Sequence, residues 1–267
     1  MTENHFDPKE VARFEHATWS RCAGTYVDGF GALMREAVEP LLEAAGIAEG
    51  DIVLDLGTGP GLTAAAAAKR GAEVVGIDFS EQMVQEARRR YPGLDFEVAA
   101  AESLPYADGR FSAVIGNFVL HHLGQPDLAL SESCRVLQQG GRAAFTVWGD
   151  PSKLEAFGLF FSAVEEHAGS AQLPHGPLFG ISDFDVFRQM IRDAGFRESH
   201  VHEIDIAWRT PDIEPYLDSF ADWANLAEFP ESTRGAIEST VRERAEQHRS
   251  GALFVLPNPA ILVSAVK

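Results

Sequence analysis

The chain has 267 residues, 45% hydrophobic and 23% charged, which is long enough to bury a full core and argues against general disorder. Its 22 basic and 40 acidic side chains leave a formal net charge of −18, the wrong sign for gripping nucleic-acid phosphates or an anionic membrane surface. Two cysteines, Cys22 and Cys134, are too few for a disulfide scaffold or a cysteine-rich zinc site, and residues 1–7 lack a basic start followed by an apolar run, so a cytoplasmic chain without a secretory leader is expected.

Two helices are predicted first, over about 8–18 and 27–46. The second carries Phe30, Leu33, Met34, Ala37, Val38, Leu41 and Leu42 as an apolar stripe at helical spacing. The rhythm then changes to short apolar strands separated by helices. Residues 51–56 read as a buried strand, followed by a glycine-rich turn and a helix over 62–70, an alanine run far too short to span a bilayer. A second strand is predicted at 73–78, with Ser80 capping a helix that runs to Arg90. Strands at 94–99 and 111–117 follow, then a helix over 126–137 stopped by Gly140-Gly141, and a strand over 142–148. Helices are predicted over 152–168 and 183–194, a strand over 196–208, helices over 212–227 and 231–248, and a last strand at 260–266.

This alternation predicts an α/β fold: a Rossmann-like, mostly parallel seven-stranded sheet covered by helices on both faces. Neither an internal repeat nor a low-complexity linker interrupts it, so one domain is expected. Its parts are an N-terminal helical cap (1–46), a ligand-binding core (47–208), a helical insert or lid (209–250) and a final strand segment (251–267).

The strongest local signal is Asp55-Leu56-Gly57-Thr58-Gly59-Pro60-Gly61, between a strand and a helix. Glycines there permit positive φ and close approach of a ligand to the backbone, and the following helix offers free N–H groups. The nicotinamide-binding version of this turn would place its third glycine at residue 62, where the chain has Leu62. A nucleotide-dependent oxidoreductase is therefore disfavoured. Asp78 closes the second strand 17 residues after Gly61, where a carboxylate can accept both hydroxyls of a ribose.

Five motifs in order make the chain resemble the class I S-adenosylmethionine-dependent methyltransferases, in their small-molecule and ubiquinone/menaquinone-biosynthesis form. They are the Asp55–Gly61 turn, Gly76-Ile77-Asp78, Ala101-Glu102-Ser103-Leu104-Pro105-Tyr106, Asn117-Phe118-Val119-Leu120-His121-His122-Leu123, and Arg135-Val136-Leu137 before Gly140-Gly141. The resemblance covers about 40–148 and implies S-adenosylmethionine as cofactor. It places Asp55, Gly57, Thr58, Gly59 and Gly61 around the amino-acid end and Asp78 on the ribose. Phe79 and Met83 would flank the adenine, and Ala100, Ala101 and Glu102 would lie along its edge. Asn117 would sit near the methionine portion. Many relatives carry Asp or Asn where this chain has Ala100, so backbone or Glu102 would have to replace that hydrogen bond.

The resemblance also implies methyl transfer by in-line displacement to a small-molecule acceptor at an O, N or C nucleophile, chiefly by alignment. An acceptor that must lose a proton would profit from a base, and His121 is the candidate catalytic residue. Relatives that use this histidine pair it with an acid after the fifth strand, whereas this chain reads Thr146-Val147-Trp148. Trp19, Tyr26, Phe118, Trp148, Phe220 and Trp223 are the candidate acceptor-pocket residues. The spacing of Tyr216, Phe220 and Trp223 also fits plain helix packing. His200 and His202 lack an evident third ligand, and no metal is expected. The alternatives are a nucleic-acid or protein methyltransferase, or a cofactor-binding protein of this fold without transfer activity. The expected partners are a small-molecule acceptor and a second copy in a homodimer, with no nucleic acid and no membrane.

Overall fold

A computed structural model describes residues 7–169 and 178–267, so the first six residues of the expected cap and residues 170–177 lie outside the described part. In chain order the helices are α1 (Pro8–Cys22), α2 (Phe30–Met34), α3 (Val38–Ala44), α4 (Leu62–Lys69), α5 (Glu81–Arg90), α6 (Pro126–Val136), α7 (Glu155–Ala168), α8 (Phe184–Asp193), α9 (Glu214–Trp223) and α10 (Glu231–Ala245). The strands are β1 (Ile52–Leu56), β2 (Glu73–Asp78), β3 (Asp95–Val98), β4 (Phe111–Asn117), β5 (Leu137–Trp148), β6 (Arg197–Ile204), β7 (Ala207–Thr210), β8 (Arg249–Ser250), β9 (Leu253–Pro257) and β10 (Ala260–Val266).

Seven strands form one sheet in the order β3-β2-β1-β4-β5-β10-β6. β1 to β5 pair in parallel, and β10 lies antiparallel to both β5 and β6. The order steps outward from β1 through β2 to β3, then returns to β4 on the other side of β1. Such a reversal opens a crevice at the carboxyl ends of the two central strands, where ligands of doubly wound sheets bind. Here those ends are Leu56–Gly57 and Asn117–Phe118.

Both faces of the sheet are covered. Leu41 and Leu42 of α3, Ala64 and Ala67 of α4, and Val84 and Ala87 of α5 pack on one face. Leu130 and Cys134 of α6 and Phe187 and Ile191 of α8 pack on the other. The alanines of α4 let that helix sit close to the sheet behind the glycine turn. A third cluster joins α2, α7, α9 and α10 to the carboxyl edge around Trp208, Tyr216, Phe220 and Phe160.

The structure corrects four expectations. The helix over 27–46 is broken into α2, a 3-10 turn at Arg35–Ala37 and α3. Pro40 lacks an N–H and falls in the first turn of α3, a position where none is needed, so the helix restarts there. Gly140-Gly141 do not stop α6, which ends at Val136; the glycines lie within β5, where pairing with β4 shifts register between Phe111 and Ala113. The strand over 196–208 divides into β6 of the main sheet and β7 of a separate three-stranded sheet, ordered β7-β9-β8. The expected insert is consequently not purely helical: β7 pairs antiparallel with β9, so both of its joints are strands.

Candidate active site

The Asp55–Gly61 turn uses its glycines for conformation. Gly57, Gly59 and Gly61 have φ of 65°, 52° and 85°, in the left-handed region that side chains resist. A Cβ at Gly57 would collide with the Val119 side chain, whereas one at Gly59 would meet no atom within 4 Å. The turn is tied down from behind. The Thr58 amide donates to the Ile77 carbonyl at 2.8 Å, and the Gly59 amide donates to Asp78 Oδ2 at 3.0 Å. Asp78 Oδ1 accepts from the Ser80 amide at 2.9 Å, so one carboxylate joins the turn to the start of α5. Each of its oxygens keeps a lone pair for a further donor.

Asp55 is buried below the turn. Its Oδ2 accepts from Thr58 Oγ1 at 2.6 Å, and its Oδ1 has no hydrogen-bond partner. Burial pushes the Asp55 carboxyl up to about 7, opposed by the Thr58 bond and the attraction of the Ala64 amide, and assisted by the nearby Asp78. Burial likewise pushes Asp78 up to about 6, against its two backbone bonds and the attraction of His122 and His16. Two acids with raised values bind protons more tightly folded than unfolded. The stability they contribute is complete below about pH 4 and lost as pH rises through about 6 and 7. Asp55→Asn keeps the Thr58 bond and removes the charge. Denaturant titrations at acid and neutral pH should show a smaller stability loss for this variant than for the wild type, by on the order of 1–4 kcal/mol. Equal losses would show that Asp55 does not titrate in this window.

In front of the turn lies a cleft with about 690 Å³ of empty space. Gly57, Gly59, Asp78, Phe79, Met83 and Asn117 are among the residues that line it. Trp19, Tyr26, Phe30, Phe118, Trp148, Phe157 and Trp223 give the cleft aromatic walls, with Met34, Val119, His122 and Leu178. Phe118 holds a positive φ of 57°, unusual for a bulky residue, at the end of β4. Its amide donates to Thr146 Oγ1 at 3.0 Å, and its ring lies 4.2 Å from that of Trp148 between centroids. Asn117 is fixed at both ends of its amide: Nδ2 donates to the Met34 carbonyl at 3.1 Å and Oδ1 accepts from Thr146 Oγ1 at 2.7 Å.

The two adjacent histidines separate. His121 is fully buried, and neither ring nitrogen has a hydrogen-bond partner. Burial and the neighbouring His122 hold its pKa well below the usual imidazole range. The expected catalytic residue His121 is not among the residues lining the cleft; its ring packs behind them, 6.0 Å from Phe118, 5.9 Å from Trp148 and 4.3 Å from His122 between centroids. His122 lines the cleft instead, with Nδ1 3.1 Å from Glu15 Oε2.

Residues 54–145 match a family model described as a methyltransferase domain. This core is a class I methyltransferase domain. A demethylmenaquinone methyltransferase from Beutenbergia cavernae is 41% identical over 123 residues, covering 46% of this chain and 50% of the relative. A ubiquinone/menaquinone biosynthesis C-methyltransferase from Desulfotalea psychrophila is 32% identical over 164 residues, covering 55% of this chain and 66% of the relative. Among solved structures, a Haemonchus contortus phosphoethanolamine N-methyltransferase, in complex with phosphomonomethylethanolamine and S-adenosylhomocysteine, has a TM-score of 0.55 at 20% identity. That match covers 87% of this chain and 52% of the other, and it shows the shared fold. The chain spans about half the length of the first two curated relatives it matches.

Within this methyltransferase domain, the residues expected from sequence divide by position. Asp55, Thr58 and Gly61 shape the turn from behind, whereas Gly57, Gly59, Asp78, Phe79, Met83 and Asn117 face the cleft. Ala100, Ala101 and Glu102 follow β3 and do not line it; Ala100 is exposed and Ala101 packs in the core. Of the aromatic candidates, Trp19, Tyr26, Phe118, Trp148 and Trp223 line the cleft. Phe220 does not. It is fully buried, stacked on Phe160 at 4.9 Å and packed by Tyr216 at 4.8 Å, so it serves the core of the insert. Tyr216 also turns away, donating its hydroxyl to the Ala156 carbonyl at 2.6 Å. Sequence reasoning missed Glu15, His122, Phe157 and Leu178 as site residues. Phe30 and Met34 were visible only as a helical stripe. His200 and His202 are exposed on β6, and among the described residues no group of three or more His, Cys, Asp or Glu is placed to hold a metal. No described helix is long and apolar enough to cross a membrane.

Proposed function

We propose that the protein uses S-adenosylmethionine to methylate a small, largely apolar acceptor. The observation that carries this reading is one cleft lined both by the glycine turn with Asp78 and by a set of aromatic side chains. When bound, the cofactor supplies a methyl group activated by a sulfonium, so the chain has to align and desolvate the nucleophile. The residues fit the cofactor. Gly59 leaves open space where any side chain would intrude, and buried Asp55 Oδ1 is a spare acceptor beneath the turn. In this reading Asp78 takes the ribose hydroxyls on its remaining lone pairs, and Phe79 and Met83 flank the adenine. Asn117 orders the wall beside the methionine portion. Ala100, Ala101 and Glu102 border the adenine edge from outside the cleft.

The acceptor then lies among Trp19, Tyr26, Phe118, Trp148 and Trp223. The relative named for demethylmenaquinone is in keeping with such a chamber. A cytoplasmic location belongs to the same reading and suits two buried free cysteines.

The N-terminal cap and the insert act as the cover of this chamber. Arg21 of α1 donates to the carbonyls of Asp222 and Trp223 in α9, at 2.7 and 3.2 Å, and Thr25 Oγ1 donates to Asp222 at 2.7 Å. Ser20 Oγ and Ser80 Oγ lie 3.2 Å apart, linking α1 to the Asp78 corner. Hydrogen exchange with and without S-adenosylhomocysteine tests the reading. Protection should rise at Gly57–Gly61 and also in α1 and α9. A ligand that protects none of these segments would contradict both the cofactor site and the cover.

A further inference from the structure

We propose that His122 is a catalytic base held by Glu15, and that the acceptor is an aromatic hydroxyl that enters neutral and surrenders its proton to His122. This rests on the methyl-transfer reading above. Glu15 belongs to α1 and is buried to 1% exposure, yet it lies 107 residues from His122 in the chain. Its Oε2 meets His122 Nδ1 at 3.1 Å and accepts from Trp19 Nε1 at 2.9 Å. A carboxylate only accepts, so the Nδ1 of a neutral His122 carries the hydrogen and Nε2 keeps its lone pair. Nε2 has no hydrogen-bond partner among the described residues. The Trp19 ring, 4.8 Å away and edge-on, fixes the imidazole plane from the other side.

The other polar groups of the cleft are committed elsewhere. Asn117 is bonded at both ends, and both Asp78 oxygens hold backbone amides. Burial holds the Tyr26 hydroxyl well above its usual range, so it stays protonated. The charged group directly on His122 is Glu15; Asp78 attracts it from the end of β2, and neutral His121 packs beside it at 4.3 Å.

Among the described residues, the lining around this base is mostly ring faces and holds no lysine or arginine. An acceptor already ionised would have no proton to give up, so a nucleophile served by this base enters neutral. A flat ring suits walls made by Phe118, Trp148, Phe157 and Trp223. The balance is simple. The acceptor O–H bond breaks and its proton passes to Nε2, giving an imidazolium paired with Glu15. The oxygen electron pair forms the bond to the methyl carbon as the carbon–sulfur bond breaks, its electrons staying on sulfur. Water later takes the proton from His122. Glu15 touches neither acceptor nor cofactor and is a positioning residue.

The test uses 4-nitrophenol with the intact protein saturated with S-adenosylhomocysteine, at a pH below the probe's own pKa in water. Calorimetry reads binding of both molecules, and absorbance reads the ionisation of bound nitrophenol. Bound probe should show the nitrophenolate band. His122→Gln should abolish the band while the probe still binds. Glu15→Gln keeps an acceptor for Nδ1 and Trp19 but removes the charge that pairs with the protonated ring, and should lower the bound nitrophenolate roughly tenfold. A role in packing alone would leave the band unmoved. If His122→Gln fails to fold, Glu15→Gln decides. Neutral bound probe in the wild type, or a band that survives both substitutions, overturns the base. A probe that does not bind overturns the acceptor class. Failure of S-adenosylhomocysteine itself to bind overturns the methyl-transfer reading and the base with it.

Discussion

Gly59→Val is expected to abolish binding of S-adenosylhomocysteine while leaving a cooperatively folding protein. Two facts set this apart from an ordinary glycine replacement. The backbone at Gly59 has a φ of 52°, which a β-branched residue adopts only with strain, and a left-handed conformation costs a side-chain residue about 1–2 kcal/mol. That is tolerable for a domain of this size, whose unfolding free energy is roughly 5–15 kcal/mol. The added side chain meets no protein atom within 4 Å of its Cβ, so it does not disrupt the core. It extends instead from a residue that lines the cleft. Gly57→Val differs, because its Cβ would drive into Val119 and so strike the junction of β1 and β4. Thermal melts should separate the two: a modest loss for Gly59→Val and a severe one for Gly57→Val. Normal ligand affinity in Gly59→Val would mean that the turn is purely structural.

Asp78→Ala should weaken S-adenosylhomocysteine binding by about 10–10² fold in calorimetric titration. A hydrogen bond to a charged group contributes about 1.5–3 kcal/mol, and every 1.4 kcal/mol is about tenfold in affinity. The substitution removes the carboxylate assigned to the ribose. It also frees the Gly59 and Ser80 amides, which that carboxylate holds at 3.0 and 2.9 Å. The turn therefore loses a brace as the ligand loses an acceptor. Asp78→Asn retains one oxygen and should fall between the wild type and alanine. A nicotinamide dinucleotide should show no saturable binding to any of the three. Unchanged affinity for S-adenosylhomocysteine in Asp78→Ala would remove the ribose assignment.

The parallel core was legible because its signals are local. Burial on both faces makes β1, β2 and β4 short apolar runs, and the turn after β1 needs glycine wherever φ is positive. Asp78 was legible for the same reason, as the last residue of a strand at a fixed distance from that turn. The small sheet was not. β7, β8 and β9 are short, and their pairing depends on where the insert folds back rather than on any pattern within each strand. The split between His121 and His122 was equally hidden. The two residues follow one another in a 3-10 turn, so a small rotation decides which ring meets the core and which the cleft. Glu15 had no signal at all, since it is one acid of a helix that becomes part of the site only when α1 packs beside that turn. Phe220 was misplaced because a helix with aromatic residues at successive turns has two buried faces here, one toward the cleft through Trp223 and one toward Trp208 and Phe160.

The central claim is that one cleft holds the cofactor over the glycine turn and aims its reactive end into the aromatic chamber. A crystal structure of the protein grown with S-adenosylhomocysteine tests it directly. The account predicts the ribose hydroxyls on Asp78, the amino-acid end against Gly57 and Gly59, and the sulfur facing the space between His122, Phe118 and Trp148. Density for the ligand elsewhere on the protein, or bound in this cleft with its sulfur turned away from that chamber, would contradict the account.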